Sequence, residues 1–75
     1  MTLNELMPGE KARVIKVEGS GAVRRRILDL GITKGSTLCV RKLAPLKDPM
    51  EITIRGYELS LRKSECETIV VERLA

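Results

Sequence analysis

Histidine, tryptophan and phenylalanine are absent from this 75-residue sequence, and Tyr57 is its one aromatic residue. Without imidazole there is neither a histidine ligand nor a histidine base. Triad or general acid–base chemistry would have to rest on rarer groups, and no activated-nucleophile constellation is visible. The lack of aromatic faces removes the stacking platforms that hold single-stranded nucleic acid, worth about 1–3 kcal/mol per base. It equally removes the aromatic-lined groove that receives proline-rich peptides. There is no GxxxxGK[ST] phosphate loop. No apolar run approaches the roughly 20 residues of a spanning helix. The opening Met1-Thr2-Leu3-Asn4-Glu5-Leu6 has no basic region followed by an apolar run, so no secretion leader is expected. Cys39 and Cys66 form no CxxC pair. Two isolated thiols without a leader predict reduced cysteines in a cytoplasmic setting, packed as small apolar groups rather than as a metal site.

What is present is a basic, ordinary globular inventory: 14 Lys+Arg against 10 Asp+Glu, for a formal charge of +4. The length allows one domain over 1–75. Glycine and proline cut it into short pieces. Met7-Pro8-Gly9-Glu10 fits a type II turn. Lys11 to Val17 reads as a strand whose adjacent Val14 and Ile15 break alternation, implying either burial of both faces or a bulge. Ser20 is a candidate N-cap for the one clear helix, about 22–30, with Val23, Ile27 and Leu30 on one stripe and Gly31 at C′. Ile32-Thr33-Lys34-Gly35 is a second turn.

Ser36 to Leu43 reads as a strand, and the prolines at 45 and 49 make the following segment a loop. Met50, Ile52 and Ile54 alternate with polar residues, as do Tyr57, Leu59 and Leu61. Arg55-Gly56 between the two runs predicts a tight hairpin. One helical turn over 63–67 and a last strand at Ile69-Val70-Val71 complete the chain. The pattern predicts a mainly β fold, a small SH3-like barrel of about five strands with one short helix after the first strand. Its expected core is Leu38, Val40, Ile52, Ile54, Leu59, Leu61, Ile69 and Val71.

Three features admit a functional reading beside a structural one. The Arg24-Arg25-Arg26 run is either a docking patch or a solvated face in which Asp29 pairs locally with Arg25 and Arg26. Leu28 lies off the apolar stripe, as the edge of a broad core face or as an exposed anchor. The Pro45–Pro49 loop is a recognition surface or a rigid connector. Glu65 and Glu67, flanking Cys66, read as solvated acids because a hard metal needs several converging oxygens.

Several segments together resemble the FeoA family, the small component of bacterial ferrous-iron transport. They are Leu6-Met7-Pro8-Gly9-Glu10, Arg26-Ile27-Leu28-Asp29-Leu30-Gly31-Ile32-Thr33-Lys34-Gly35, Ala44-Pro45-Leu46-Lys47-Asp48-Pro49-Met50 and Ile54-Arg55-Gly56-Tyr57-Glu58-Leu59-Ser60-Leu61-Arg62. Lys34 stands where the family often has Pro, Lys47 where it often has Gly, and Ile27 where Leu is commoner. The resemblance implies an SH3-like barrel and a non-enzymatic cytoplasmic partner of the FeoB membrane GTPase transporter, with no cofactor, no resident metal and no membrane insertion of its own.

A related SH3-like module ends some metal-dependent repressors. The Met start and the lack of a DNA-binding domain favour the freestanding form. A basic nucleic-acid-binding barrel is the further alternative, weakened by the missing aromatics. The helix and the proline-bounded loop are then the expected docking surface. Leu28 and Leu46 would serve as apolar anchors, Arg25, Arg26 and Lys47 as a basic rim, and Pro49 as the loop's end, facing an acidic, partly apolar partner.

Overall fold

A computed structural model of the chain describes residues 1–74, with the side chain of Lys47 outside the described set. Five strands form one antiparallel sheet: β1 (Lys11–Val17), β2 (Thr37–Leu43), β3 (Met50–Ile54), β4 (Tyr57–Leu61) and β5 (Ile69–Leu74). Their spatial order is β4-β3-β2-β1-β5, so β4 and β5 are the two edges. Helix α1 (Gly21–Asp29) follows β1, and a single turn of helix, α2 (Lys63–Cys66), joins β4 to β5. The mainly β, five-stranded architecture with one substantial helix is the one expected from the sequence.

The doublet at Val14-Ile15 resolves as a bulge. Val14 pairs with Val71 and Lys16 with Val70, leaving Ile15 unpaired and 37% exposed while Val14 is buried. A second bulge lies in β2, where the register steps from Val40 to Lys42 and skips Arg41. Each extra residue increases local twist, which curls a short sheet around a single core. The β3–β4 hairpin turns on Arg55 (φ 50°) and Gly56 (φ 84°). Positive φ at both central residues is the two-residue turn whose twist matches the strands.

The core is Leu3, Leu6, Ala12, Val14, Ile27, Ile32, Leu38, Val40, Met50, Ile52, Ile54, Leu61, Cys66, Ile69 and Val71. Seven of the eight expected core residues are in it; Leu59 is only half-buried, because β4 is an edge strand. The helix stripe narrows in the same way. Ile27 is fully buried, Leu30 is half-buried, and Val23 is 42% exposed. Nine residues seat one anchoring side chain, so α1 depends on that contact and on its ends.

The role of the N-terminal residues is visible only in the structure. Residues Leu3–Glu5 form a 3-10 turn that sinks Leu3 and Leu6 completely. Thr2 bridges Val70 on the outer side of β5, and the Val71 N–H donates to the Met1 carbonyl at 2.8 Å. The Thr2 N–H in turn donates to Glu5 Oε2 at 2.6 Å. This backbone hydrogen bond from Thr2 chiefly holds the Glu5 carboxyl below its usual range.

Candidate functional site

Helix α1 begins after Ser20, whose extended backbone (φ −151°) suits an N-cap although its hydroxyl makes no capping bond. It ends at Gly31, where φ is +89°. The Tyr57 hydroxyl donates to the Leu30 carbonyl at 2.7 Å. A Cβ on Gly31 would stand 2.9 Å from that hydroxyl oxygen. Glycine is therefore required twice here, by the left-handed backbone and by the tyrosine laid across it. The contact ties the end of α1 to the start of β4.

The middle of α1 is tied to α2. Arg26 Nε donates to Glu65 Oε2 at 2.5 Å, and Glu65 Oε1 accepts the Arg62 backbone N–H at 2.8 Å. Two sequence expectations are corrected by this pair. Glu65 is not a solvated acid but a buried one, 7% exposed, and Arg26 reaches across the fold rather than pairing with Asp29. A carboxylate held among backbone donors in a drier site binds a guanidinium more strongly than an exposed one on the same helix. Burial pushes the Glu65 carboxyl up. The hydrogen bonds from Arg62 and Arg26 and the charges of both arginines outweigh it and hold the group below the usual carboxylate range.

The sequence-predicted docking residues fall on two flanks of α1. Arg25 and the half-buried Leu28 line a depression of about 300 Å³ with Gly21, Arg24 and Asp29. Arg26 and Pro49 line a second, about 440 Å³, together with Asp48, Ser60 and Arg62. The helix and the proline-bounded loop thus face one depression, the helix through Arg26. Leu46, on the loop between them in sequence, is 93% exposed in a left-handed conformation (φ 66°). A leucine held there carries about 1–2 kcal/mol of backbone strain and gives its apolar surface to water. The side chain of Lys47 lies outside the described residues.

Cys66 is fully buried against Met50; desolvation, with the nearby charges of Glu65 and Asp48, pushes its thiol up to about 12. Cys39 is half-buried and unpaired with Cys66. Among the described residues, no group of three or more His, Cys, Asp or Glu side chains comes together as a metal site. Among the described residues no helix is long and apolar enough to cross a membrane.

The FeoA domain matches residues 1–73. This chain belongs to the FeoA family. It is 41% identical over 75 residues to an Fe(2+) transport protein A/Fe(2+) transporter FeoB fusion protein of Porphyromonas gingivalis, and it spans 9% of that longer protein. It is similar to the NMR structure of a FeoA-like protein from Clostridium acetobutylicum, at 43% identity and a TM-score of 0.93, covering 100% of this chain and 87% of that one. It is also similar to Stenotrophomonas maltophilia FeoA, solved with zinc and described as an SH3 domain protein. That likeness is 30% identity and a TM-score of 0.85, over 96% of this chain and 89% of that one. The SH3-like description applies to the FeoA fold seen here.

On that fold the sequence pointed to Arg26 and Pro49, which the structure brings together, and to Arg25 and Leu28, which it sets on the other flank. It missed Ser60 and Arg62, which complete the Arg26–Pro49 depression. Their signal was positional. Ser60 lies in β4 and Arg62 just beyond it, and β4 becomes a sheet edge only through the order of all five strands.

Proposed function

We propose that this chain is a non-catalytic accessory protein of ferrous-iron uptake that docks on the cytoplasmic part of a FeoB-type GTPase transporter and shifts its assembly or conformation. The observation that carries the reading is the fused relative, in which a FeoA segment and a FeoB transporter are one polypeptide. Fusion fixes the two at a permanent one-to-one ratio and a high effective concentration, which is useful when they work in contact. The inventory supports a binding role over a catalytic one, since the chain has no histidine and its buried thiol is held protonated. Docking can move the transporter's equilibrium only by its differential affinity for two states.

The proposed contact residues are those predicted from sequence: Arg25 and Leu28 on one flank of α1, Arg26 and Pro49 on the other, with Leu46 and Lys47 of the loop. Leu46 is the strongest of them. A strained, exposed leucine at a loop tip gains more from burial by a partner than it contributes to the isolated fold. The test is the affinity of this chain for the full-length transporter of the same genome in lipid nanodiscs. Saturable binding, weakened by Leu46→Ala or Arg25→Glu with unchanged melting, is expected. No binding overturns the reading, and binding indifferent to both substitutions moves the surface elsewhere.

A further inference from the structure

The outer edge of β4 is unoccupied in a way that the other sheet edge is not. The two-residue Arg55-Gly56 turn makes Ile54 and Tyr57 a hydrogen-bonded pair. Alternation along an antiparallel ladder then assigns Ile52–Leu59 and Met50–Leu61 to the same class. Thr53–Glu58 and Glu51–Ser60 are the non-bonded pairs. The N–H and C=O groups of Glu58 and Ser60 therefore point away from β3. Among the described residues no other backbone group meets them, and β4 is the last strand of the sheet.

The space beside this edge is shaped. Its two ends differ, because Tyr57 closes one end against Leu30 of the helix terminus. At the other end the sheet edge opens into the 440 Å³ depression between Arg26, Pro49, Ser60 and Arg62. Arg62 has no carboxylate partner among the described residues. Arg26 spends only Nε on Glu65, and the one further acid of the depression, Asp48, accepts the Lys63 backbone N–H at 3.1 Å. Two guanidiniums are thus left with donors to spare, beside a row of unpaired peptide groups.

We infer that the β4 edge receives an extended, acidic segment of the transporter's cytoplasmic part as a sixth strand, with a carboxylate of that segment seated between Arg26 and Arg62. The inference rests on the functional reading above and deepens it. Main-chain bonds to Glu58 and Ser60 supply sequence-independent affinity, and the two arginines select the acid and fix the register. Leu46, on the loop that walls the depression, offers apolar contact to a neighbouring residue of the same segment.

The test uses three variants of the full chain against the full-length transporter in nanodiscs. Ser60→Pro removes the outward N–H without touching a ladder bond, so the fold tolerates it at an edge; affinity falls about tenfold. Ser60→Ala keeps the N–H and changes affinity by no more than about twofold. Arg62→Glu weakens binding, and the loss shrinks as salt is raised. As a measurement independent of variants, hydrogen–deuterium exchange of the unsubstituted chain slows in residues 57–61 on complex formation. Binding with unchanged exchange at 57–61, or equal affinity for Ser60→Pro and Ser60→Ala, overturns the strand-addition inference and leaves the FeoB reading standing. No binding by the unsubstituted chain overturns both.

Discussion

The two edges of one sheet are treated differently. On β5 the chain's own first residues lie along the edge, with Thr2 against Val70 and the Val71 N–H on the Met1 carbonyl. Leu3 and Leu6 are buried beneath them. On β4 nothing comparable is present among the described residues, and the neighbouring side chains of Glu58 and Ser60 are exposed. An open edge invites pairing with another chain. A domain of this size has a spare segment to seal one edge, and it uses that segment on β5. The contrast separates a side that holds the fold from a side that is available for contact. Near the β4 edge, Glu65 of α2 is buried and paired with Arg26, whereas Arg62, just beyond β4, is exposed.

The largest loss is expected on the sealed side. Leu6→Ala removes a fully buried anchor and is expected to destabilise by about 2–5 kcal/mol. Most of the stability of so small a domain is then lost, read as a drop in the denaturation midpoint. Next comes Glu65→Gln, expected to lose about 1.5–3 kcal/mol because both of its bonds involve a charged group. This residue also sets a pH dependence. Its folded-state value lies below the ordinary 4.5. Its stabilisation is therefore complete above that pH and is lost as pH falls through the lower folded value. Melting temperature against pH should show an acid limb that Glu65→Gln flattens.

Gly31→Ala is expected to destabilise by about 1–2 kcal/mol from the left-handed backbone alone, with a further loss from displacing the Tyr57 hydroxyl. Gly21→Ala is the control. Its φ is +64° but nothing lies within 4 Å of the added Cβ, so only the backbone term remains. The smallest effect belongs to the open side. Leu46→Ala should change stability by less than about 0.5 kcal/mol, and a larger loss in thermal melting would show that the loop tip is part of the fold's support.

Much of the fold was legible because local chemistry and global structure agree. β3 and β4 lie where alternation and the Arg55-Gly56 turn put them, β1 lies between its flanking turns, and of the two readings of the Val14-Ile15 doublet, burial of both faces or a bulge, the bulge holds. The β5 seal was not legible. Met1–Leu6 is too short to show a period, and its partners, Val70 and Val71, lie at the other end of the sequence. Glu65 was misread for a related reason. Four residues of α2 show no amphipathic face, so nothing local marks Glu65 as buried, and its guanidinium partner lies 39 residues away. The candidate site was half legible. Arg26 and Pro49 stood out as residue types in a helix and a loop, but Ser60 and Arg62 acquire meaning only when strand order makes β4 an edge.

The difference between the edges is itself measurable in the free chain. Amide hydrogen exchange followed by NMR compares the Val71 N–H, bonded to Met1, with the N–H groups of Glu58 and Ser60, which point off the sheet. A sealed and an open edge predict slow exchange at Val71 and exchange near the unprotected rate at Glu58 and Ser60. Equal protection at all three positions would contradict the account, because β4 would then be covered as β5 is and would have no vacant edge to offer.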